Sequence, residues 1–335
     1  MDNSTTQIRV HVITFRRLHL LKRALESLQR QSYHHWIAEV INDDPDDHEV
    51  GNYVASLKDP RITLSMPAVK RGGTGNFNYC FRPVQEPFAC ILEDDNWYEP
   101  DFLAHSLNAL LTHRDIEMAV TNECVWKERQ NGTWENTNHT IWPLRKGSSI
   151  FEYQLADKCG KAKICNSSMF WRTENAEQWK TPADIPIDLT EHFRERIIPH
   201  PILLLHAPLV NFSETLQTYR KHHGHEWSIN LTLLIASIFN QIEKAEATAL
   251  AHELWTQARS THKLLGTTLL NAALSDPKAK SLLHAATSKE KLQYWIRIVK
   301  RYPVIRMCRK MIRQQHENWS FLLNSFQKNH PQHDS

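Results

Sequence analysis

The sequence predicts an α/β fold, a mostly parallel central sheet flanked by helices, followed by an all-α appendage at the C-terminal end. Three observations carry this expectation. Short β-rich runs alternate with segments of helical spacing through the first two-thirds of the chain, the pattern of strands joined by crossover helices. Two of those runs stop abruptly in adjacent carboxylates, at Asp43-Asp44 and at Glu93-Asp94-Asp95. After His225 the chain changes to Leu, Ala, Ile, Lys and Glu at helical spacing, with few glycines, as far as Phe326.

The elements follow in order. Val10, Val12 and Ile13 form a first strand, and Leu18, Leu21, Leu25 and Leu28 give the next segment one apolar helical face. Trp36 to Ile41 reads as a second strand, closed at Asn42-Asp43-Asp44-Pro45, where proline and three polar residues forbid continuation. A short helix around Val54 and Leu57, a strand from Ile62 to Leu64 and a glycine-bearing loop at Arg71-Gly-Gly-Thr-Gly75 come next. Phe88 to Leu92 is a further strand. Pro100 then opens a helix whose apolar face is Phe102, Leu103, Leu107, Leu110 and Leu111, and Ile116 to Val120 returns as strand. From Thr121 to Gly160 the periodicity weakens. Trp126, Trp134 and Trp142 stand among polar residues there, so the segment reads as a long, partly ordered loop over a binding site. Strand character resumes at Ile164 to Trp171 and at Ile202 to His206, with a short helix expected between Asp188 and Arg196. The boundaries predicted are an α/β domain over 1–227 and a helical region over 228–335.

Composition narrows the function classes. The chain has 335 residues, 41% of them hydrophobic, enough for a large core with an appendage. Forty basic residues against thirty-seven acidic leave a net charge of +3, too balanced for chain-wide affinity to nucleic acid, so no nucleic-acid partner is expected. Met1 to Gln7 is polar, and no apolar run is long enough to span a bilayer, which makes a cytoplasmic location the expectation. The six cysteines lack the short paired spacings of a zinc site and the density of a disulfide scaffold.

The sharpest chemical signal is Cys90-Ile-Leu-Glu-Asp-Asp-Asn-Trp-Tyr-Glu-Pro100, an apolar strand delivering adjacent carboxylates into a turn before a helix. In a parallel sheet ligands gather at the C-terminal ends of the strands, where both acid clusters fall. Hard oxygen ligands suit Mg²⁺ or Mn²⁺, and one or two carboxylates plus substrate phosphates are a usual site for these ions. Such an ion stabilises charge on a departing diphosphate without proton transfer. The plainer reading makes Asp95 or Asn96 a helix cap and Asp43 and Asp44 turn formers.

Taken together, Val12-Ile-Thr-Phe-Arg-Arg17, Leu20 to Tyr33, Asn42-Asp43-Asp44, Glu93-Asp94-Asp95-Asn96 and Tyr219-Arg-Lys-His222, in that order, resemble the inverting family 2 glycosyltransferases. The resemblance covers roughly residues 8 to 228. It implies the GT-A nucleotide-sugar-binding fold and transfer from a nucleotide-sugar donor, a UDP-sugar first, to a saccharide, lipid-linked or other hydroxyl acceptor. It would set Thr14, Phe15 and Arg17 beside the donor and Asp43 or Asp44 on its base or ribose. Asp94 falls on a ribose or supporting position, Asp95 on the direct ligand of Mn²⁺ or Mg²⁺, and Glu93 stands where the family often has aspartate. Arg71 is a candidate for the diphosphate. The base that takes the acceptor proton falls in Pro186-Ile-Asp-Leu-Thr-Glu-His-Phe-Arg194, with Glu191 first and Asp188 second. His222 is placed toward the diphosphate or metal.

Two other functions remain open on the sequence, a nucleotidyltransferase-like enzyme and an inactive nucleotide-sugar-binding module. The first would carry a glycine-rich basic loop after its first strand, where this chain has Thr14-Phe15-Arg16-Arg17-Leu18; the second would have lost its strand-end acids. In the tail, Arg297, Lys300, Arg301, Arg306, Arg309, Lys310 and Arg313 alternate with apolar residues and no acid interrupts them, which suits peripheral contact with anionic lipid or an ordinary basic helix face.

Overall fold

The computed structural model describes residues 6–152, 156, 159, 164–181, 201–216, 225–261, 263–296 and 298–315. Their backbone forms two compact units, one built around a sheet from residues up to Glu152 together with 164–181 and 201–216, the other from helices between His225 and Gln315.

The sheet unit begins with β1 (Ile8–Thr14), α1 (Leu18–Gln29), β2 (Trp36–Asn42), α2 (His48–Ser56), β3 (Ile62–Ser65) and α3 (Gly72–Cys80). It continues with β4 (Phe88–Glu93), β5 (Trp97–Tyr98), α4 (Phe102–Thr112), β6 (Met118–Glu128), β7 (Trp134–Thr140), β8 (Ser148–Phe151), β9 (Met169–Arg172) and β10 (Ile202–Glu214). The ten strands form one sheet in the order β3-β2-β1-β4-β9-β6-β10-β5, with β7 on β6 and β8 on β10. β1 pairs in parallel with β2 and β4, and β2 with β3. β6 and β10 are a second parallel pair, linked to β4 by the antiparallel β9.

Burial explains the arrangement. β1, β2 and β4 are covered on both faces, and their near-continuous apolar runs are what a central parallel strand requires. α1 turns Leu20, Leu21, Ala24, Leu25 and Leu28 inward, each leucine contributing roughly 1.5–3 kcal/mol when fully buried. Around Trp171, which is fully buried, pack Phe81 at 5.3 Å and Trp179 at 6.3 Å between ring centres.

Two stretches differ from expectation. Arg71 to Gly75 is the start of α3, not a loop. Thr121 to Gly160 contributes the end of β6 and the strands β7 and β8 where a loop was expected, because β7 finds an antiparallel partner in β6 and β8 in β10. The helix expected between Asp188 and Arg196 lies outside the described residues.

The second unit comprises α5 (His225–Gln241), α6 (Lys244–Thr261), α7 (Lys263–Ser275), α8 (Lys280–Ala285), α9 (Ser288–Trp295) and α10 (Ile298–Gln315). Its core gathers Leu234, Phe239, Leu254, Trp255, Leu269 and Leu282. The Trp255 indole donates to the Leu282 carbonyl at 2.7 Å, so the largest side chain there satisfies its polar group. α9 starts with a capping box between Thr287 and Glu290.

Candidate active site

The register of the central strands assembles the site. Thr14 lies opposite Asn42, and Ile13 lies opposite both Ile41 and Glu93, so β1, β2 and β4 end at one level. Beyond the paired residues, the Asp94 amide donates to Ile13 O at 3.1 Å and the Asp43 amide to Thr14 O at 3.3 Å. Both acid clusters are therefore docked on the last two carbonyls of one strand.

Asp94 is fully buried, and its carboxylate accepts from the Thr14 hydroxyl at 2.8 Å. Arg17 bridges it to its neighbour: Nη2 is 2.6 Å from Asp94 Oδ1, Nε is 3.2 Å from Asp94 Oδ2, and Nη1 is 2.8 Å from Asp95 Oδ2. Burial pushes the Asp94 carboxyl up to about 7, against the opposing pull of Arg17 and the Thr14 hydroxyl. Asp95 keeps 15% of its side chain exposed, so its oxygens face a wetter environment than those of Asp94. Glu93 turns to the other side of the chain, where Asn166, Asn96 and Ser167 donate to its carboxylate at 3.1 to 3.2 Å.

At the end of β2 the two aspartates divide their roles. Asp43 accepts from the backbone N–H groups of Arg71 and Gly72 at 2.8 and 2.9 Å, capping α3 from another strand. Gly72 enters that helix at φ 72°, a conformation glycine adopts at little cost. Asp44 pairs with Arg16 and lies 3.4 Å from Lys70 Nζ, and the Arg16 hydrogen bond holds its carboxyl below the ordinary range. Arg16 itself sits at φ 58°, a strained backbone for a side chain of its size and a mark of the first strand-to-helix loop.

Phe15, 41% exposed, has the Arg16 guanidinium and the Lys70 ammonium each 5.1 Å from its ring. Arg71 stacks on Tyr79 at 3.9 Å and reaches Asn76 at 3.4 Å, so its guanidinium runs along α3. Thus Thr14, Phe15, Arg17, Asp43, Asp44, Arg71, Asp94 and Asp95 all lie at or beside the ends of three adjacent strands. Glu191, Asp188 and His222 fall outside the described residues.

Sequence reasoning missed the supports of the acid turn. Arg23 donates to the Asp95 carbonyl at 2.8 Å and to Ser213 Oγ at 3.0 Å, with its guanidinium 3.8 Å over Trp97 and 4.3 Å over Trp134. Burial lowers its pKa to about 10. Asn96 donates to Ser167 Oγ at 3.0 Å and accepts from the Ser213 amide at 2.9 Å, tying the turn to β10. These partners lie 71 to 190 residues apart in sequence, and no local pattern announces them.

A divalent ion at this site would find its hard donor in Asp95, since one carboxylate plus substrate phosphates is a usual ligand set for Mg²⁺ or Mn²⁺. The buried acid beside it, raised by desolvation, favours added positive charge. The donor set therefore fits the ion, with the substrate supplying the remaining ligands. Among the described residues no group of three or more His, Cys, Asp and Glu side chains is assembled for a metal.

Residues 9–173 match the family described as Glycosyl transferase family 2. Over that segment the chain is similar to the family. A 111-residue stretch is 31% identical to WcaA of Escherichia coli (strain K12), named as a colanic acid biosynthesis glycosyl transferase, and covers 32% of this chain and 39% of that protein. The chain thus matches well under half the length of that relative. Among solved structures, S. aureus TarS 1-349 in complex with UDP-GlcNAc aligns with a TM-score of 0.59 at 13% identity, covering 92% of each chain. TarS 1-349 without that ligand aligns with a TM-score of 0.52 at 13% identity, over 97% of this chain and 92% of the other. At that identity the likeness shows the fold, which is GT-A.

Proposed function

We propose that this protein is an inverting glycosyltransferase that moves a sugar from a nucleotide-sugar donor, a UDP-sugar, to a hydroxyl acceptor with the help of Mn²⁺ or Mg²⁺. The observation that carries the reading is the alignment of the Asp43-Asp44 and Asp94-Asp95 turns on the last carbonyls of β1. That alignment creates a polar edge where an α/β sheet binds its ligand. The family of residues 9–173 and the UDP-GlcNAc bound to the similarly folded TarS support the donor class.

In this reading residues 1–227 are the catalytic domain and 228–335 a helical region. Phe15 offers an exposed ring to the nucleoside base, and Asp44 hydrogen-bonds the base or ribose. Arg17 and Arg71 supply positive charge for the diphosphate. Asp95, with His222 as a further ligand, would hold Mn²⁺ or Mg²⁺, which would supply Lewis-acid stabilisation of the charge on the departing nucleoside diphosphate. Asp94 stays buried and fixes the orientation of Arg17 and Thr14. Glu191, with Asp188 second, removes the acceptor hydroxyl proton as that oxygen attacks the anomeric carbon. The bond to the diphosphate breaks on the opposite face and its electron pair leaves with the phosphate.

A thermal-shift screen of nucleoside diphosphates with and without Mn²⁺ tests this, since a ligand that binds the native state raises the melting temperature. Uridine diphosphate with Mn²⁺ should stabilise the protein, and Asp95→Asn should lose the Mn²⁺-dependent part while keeping the fold by circular dichroism. An unchanged Mn²⁺-dependent shift in Asp95→Asn would overturn the metal assignment. Glu191→Gln should lose transfer but keep nucleotide binding; normal transfer in that variant would move the base to Asp188.

A further inference from the structure

The helical unit presents an unusual surface at its C-terminal end. Of the ten large hydrophobic side chains exposed among the described residues, five fall within the sixteen positions from Leu292 to Met307. On α9, Leu292, Trp295 and the following Ile296 have i, i+3, i+4 spacing, which puts them on one face, and they are 64%, 51% and 77% exposed. Tyr294, between them, points the other way, buried, with its hydroxyl 2.6 Å from Asn271 Oδ1. On α10, Val304, Ile305 and Cys308 are buried, and the helix packs against α5 and α7 through contacts within the unit. Tyr302 and Met307 remain exposed, at 58% and 41%, beside the exposed Arg306 and Lys310.

The charge of this stretch is one-sided. Between Lys291 and Arg313 there are eight Lys or Arg residues and no Asp or Glu. Outside it the chain carries 32 Lys or Arg against 37 Asp or Glu, a slight acidic excess. Exposed aliphatic and indole side chains interleaved with cations call for a partner that is apolar below and anionic above. An anionic lipid bilayer is such a partner: the apolar side chains enter the acyl boundary, tryptophan and tyrosine sit at headgroup level, and the cations meet the phosphates. Nucleic acid would use the charge but leave Leu292 and Ile296 unburied. A second copy docking through the same face would set the exposed Arg306, Arg309 and Lys310 against their own counterparts, a repulsive arrangement.

We propose that the segment from Lys291 to Arg313 is a docking surface for anionic membranes, with Trp295 and Ile296 as the apolar anchors and Arg306 and Lys310 among the headgroup-binding cations. The proposal is independent of the transferase reading, because it rests on the helical unit alone.

The test is sedimentation of the full chain with vesicles of phosphatidylcholine alone and of phosphatidylcholine with phosphatidylglycerol, at low and high salt. Binding is expected on the phosphatidylglycerol vesicles and should weaken with salt. Arg306→Ala/Lys310→Ala should lower the partition coefficient by about 30-fold, the effect of two charges near an anionic surface. Trp295→Ser/Ile296→Ser, both exposed and so compatible with an unchanged circular dichroism spectrum, should lower it by at least about 10-fold. Equal binding to both vesicle types overturns the proposal. So does full binding by Trp295→Ser/Ile296→Ser, which would reduce the effect to simple polyanion attraction. Sedimentation velocity showing a wild-type oligomer broken by the same substitutions would assign the face to a second copy.

Discussion

Replacing Arg17 by methionine removes the one guanidinium that spans Asp94 and Asp95, and the structure sets the size of the effect. Three contacts of 2.6 to 3.2 Å disappear, two of them to a carboxylate with no solvent exposure. Removing one partner of a buried ion pair costs about 3–5 kcal/mol. Because the Arg17 side chain is 36% exposed, water already screens part of the pair, and the low end, about 3 kcal/mol, applies in mildly alkaline solution. At about 2–4 °C per kcal/mol this lowers the melting temperature of the sheet unit by about 6–12 °C. The pH dependence supplies a second check. The Asp94 carboxyl is already raised to about 7, and without Arg17 it rises further. A group whose folded pKa is raised contributes stability below its unfolded pKa and loses it as pH rises through the folded value. The gap between variant and parent should therefore open above about pH 7, by up to roughly 1.4 kcal/mol per pH unit, and narrow below it. Thermal unfolding followed by tryptophan fluorescence at several pH values reads this. Arg17→Met/Asp94→Asn should recover most of the loss, since it removes the stranded charge as well. A single variant melting within about 2 °C of the parent at alkaline pH would refute the reasoning, as would a double variant no more stable than the single.

Two further predictions follow from groups outside that pair. His11 is fully buried in β1, stacked on Trp171 at 6.5 Å with Nδ1 3.9 Å from Glu39, and burial, then Arg82 and Arg9, hold its pKa well below the usual value. Its neutral form belongs to the fold, so its contribution is complete above the unfolded pKa and is lost as pH falls below that, by about 2 kcal/mol between pH 7 and 5. His11→Phe should flatten that part of the pH dependence of the urea midpoint, and an unchanged slope would show that His11 is not the cause. Asp43→Ala should cost about 1–2 kcal/mol by uncapping α3, while Asp43→Asn, which keeps one acceptor oxygen, should cost less than half as much in the same melting experiment. Equal losses in the two variants would mean that packing, not capping, is the role of Asp43.

The sequence made the central strands legible because burial on both faces favours near-continuous apolar runs: Phe88 to Leu92 is unbroken, and Val10 to Ile13 and Trp36 to Ile41 are each interrupted by one buried polar residue, His11 and Glu39. The acid clusters were legible for a related reason: adjacent carboxylates end an apolar run, and Asp43, Asp44 and Asp94 remain buried there because protein donors meet them. α3 was not. Three glycines in five positions speak against a helix, and its start depends on two backbone bonds to Asp43, 28 and 29 residues away. The hairpin of β6 and β7 was hidden too, because the β7 stretch Trp134 to Thr140 is mostly exposed and lacks clear apolar alternation. β9 is short and runs against its neighbours β4 and β6, a direction no spacing in the chain encodes. In the candidate site the carboxylates could be found from position alone, whereas Arg23 could not: its role depends on Trp97, Trp134 and Ser213, which meet only in the fold.

Each acid at the strand ends is met by a protein donor before any ligand arrives: backbone amides for Asp43, Arg16 and Lys70 for Asp44, Arg17 for Asp94 and Asp95. A diphosphate entering such a site meets a nearly neutral field, so binding in the proposed reaction has to proceed by exchange of partners. The structure ranks those exchanges. Breaking the contact of Arg17 with Asp94 exposes a charge with no access to water, whereas the contact with Asp95 involves a carboxylate 15% exposed and a guanidinium 36% exposed. The second exchange is the cheaper, because solvent and the incoming phosphate can both replace what is lost. Adjacent aspartates are thereby separated into a fixed anchor and an exchangeable ligand. The separation comes from one residue of difference in depth rather than from any difference in chemistry. On this physical ground Asp95 is the carboxylate we propose for Mn²⁺ or Mg²⁺, and Arg17, still hinged on Asp94, the cation we propose turns toward phosphate.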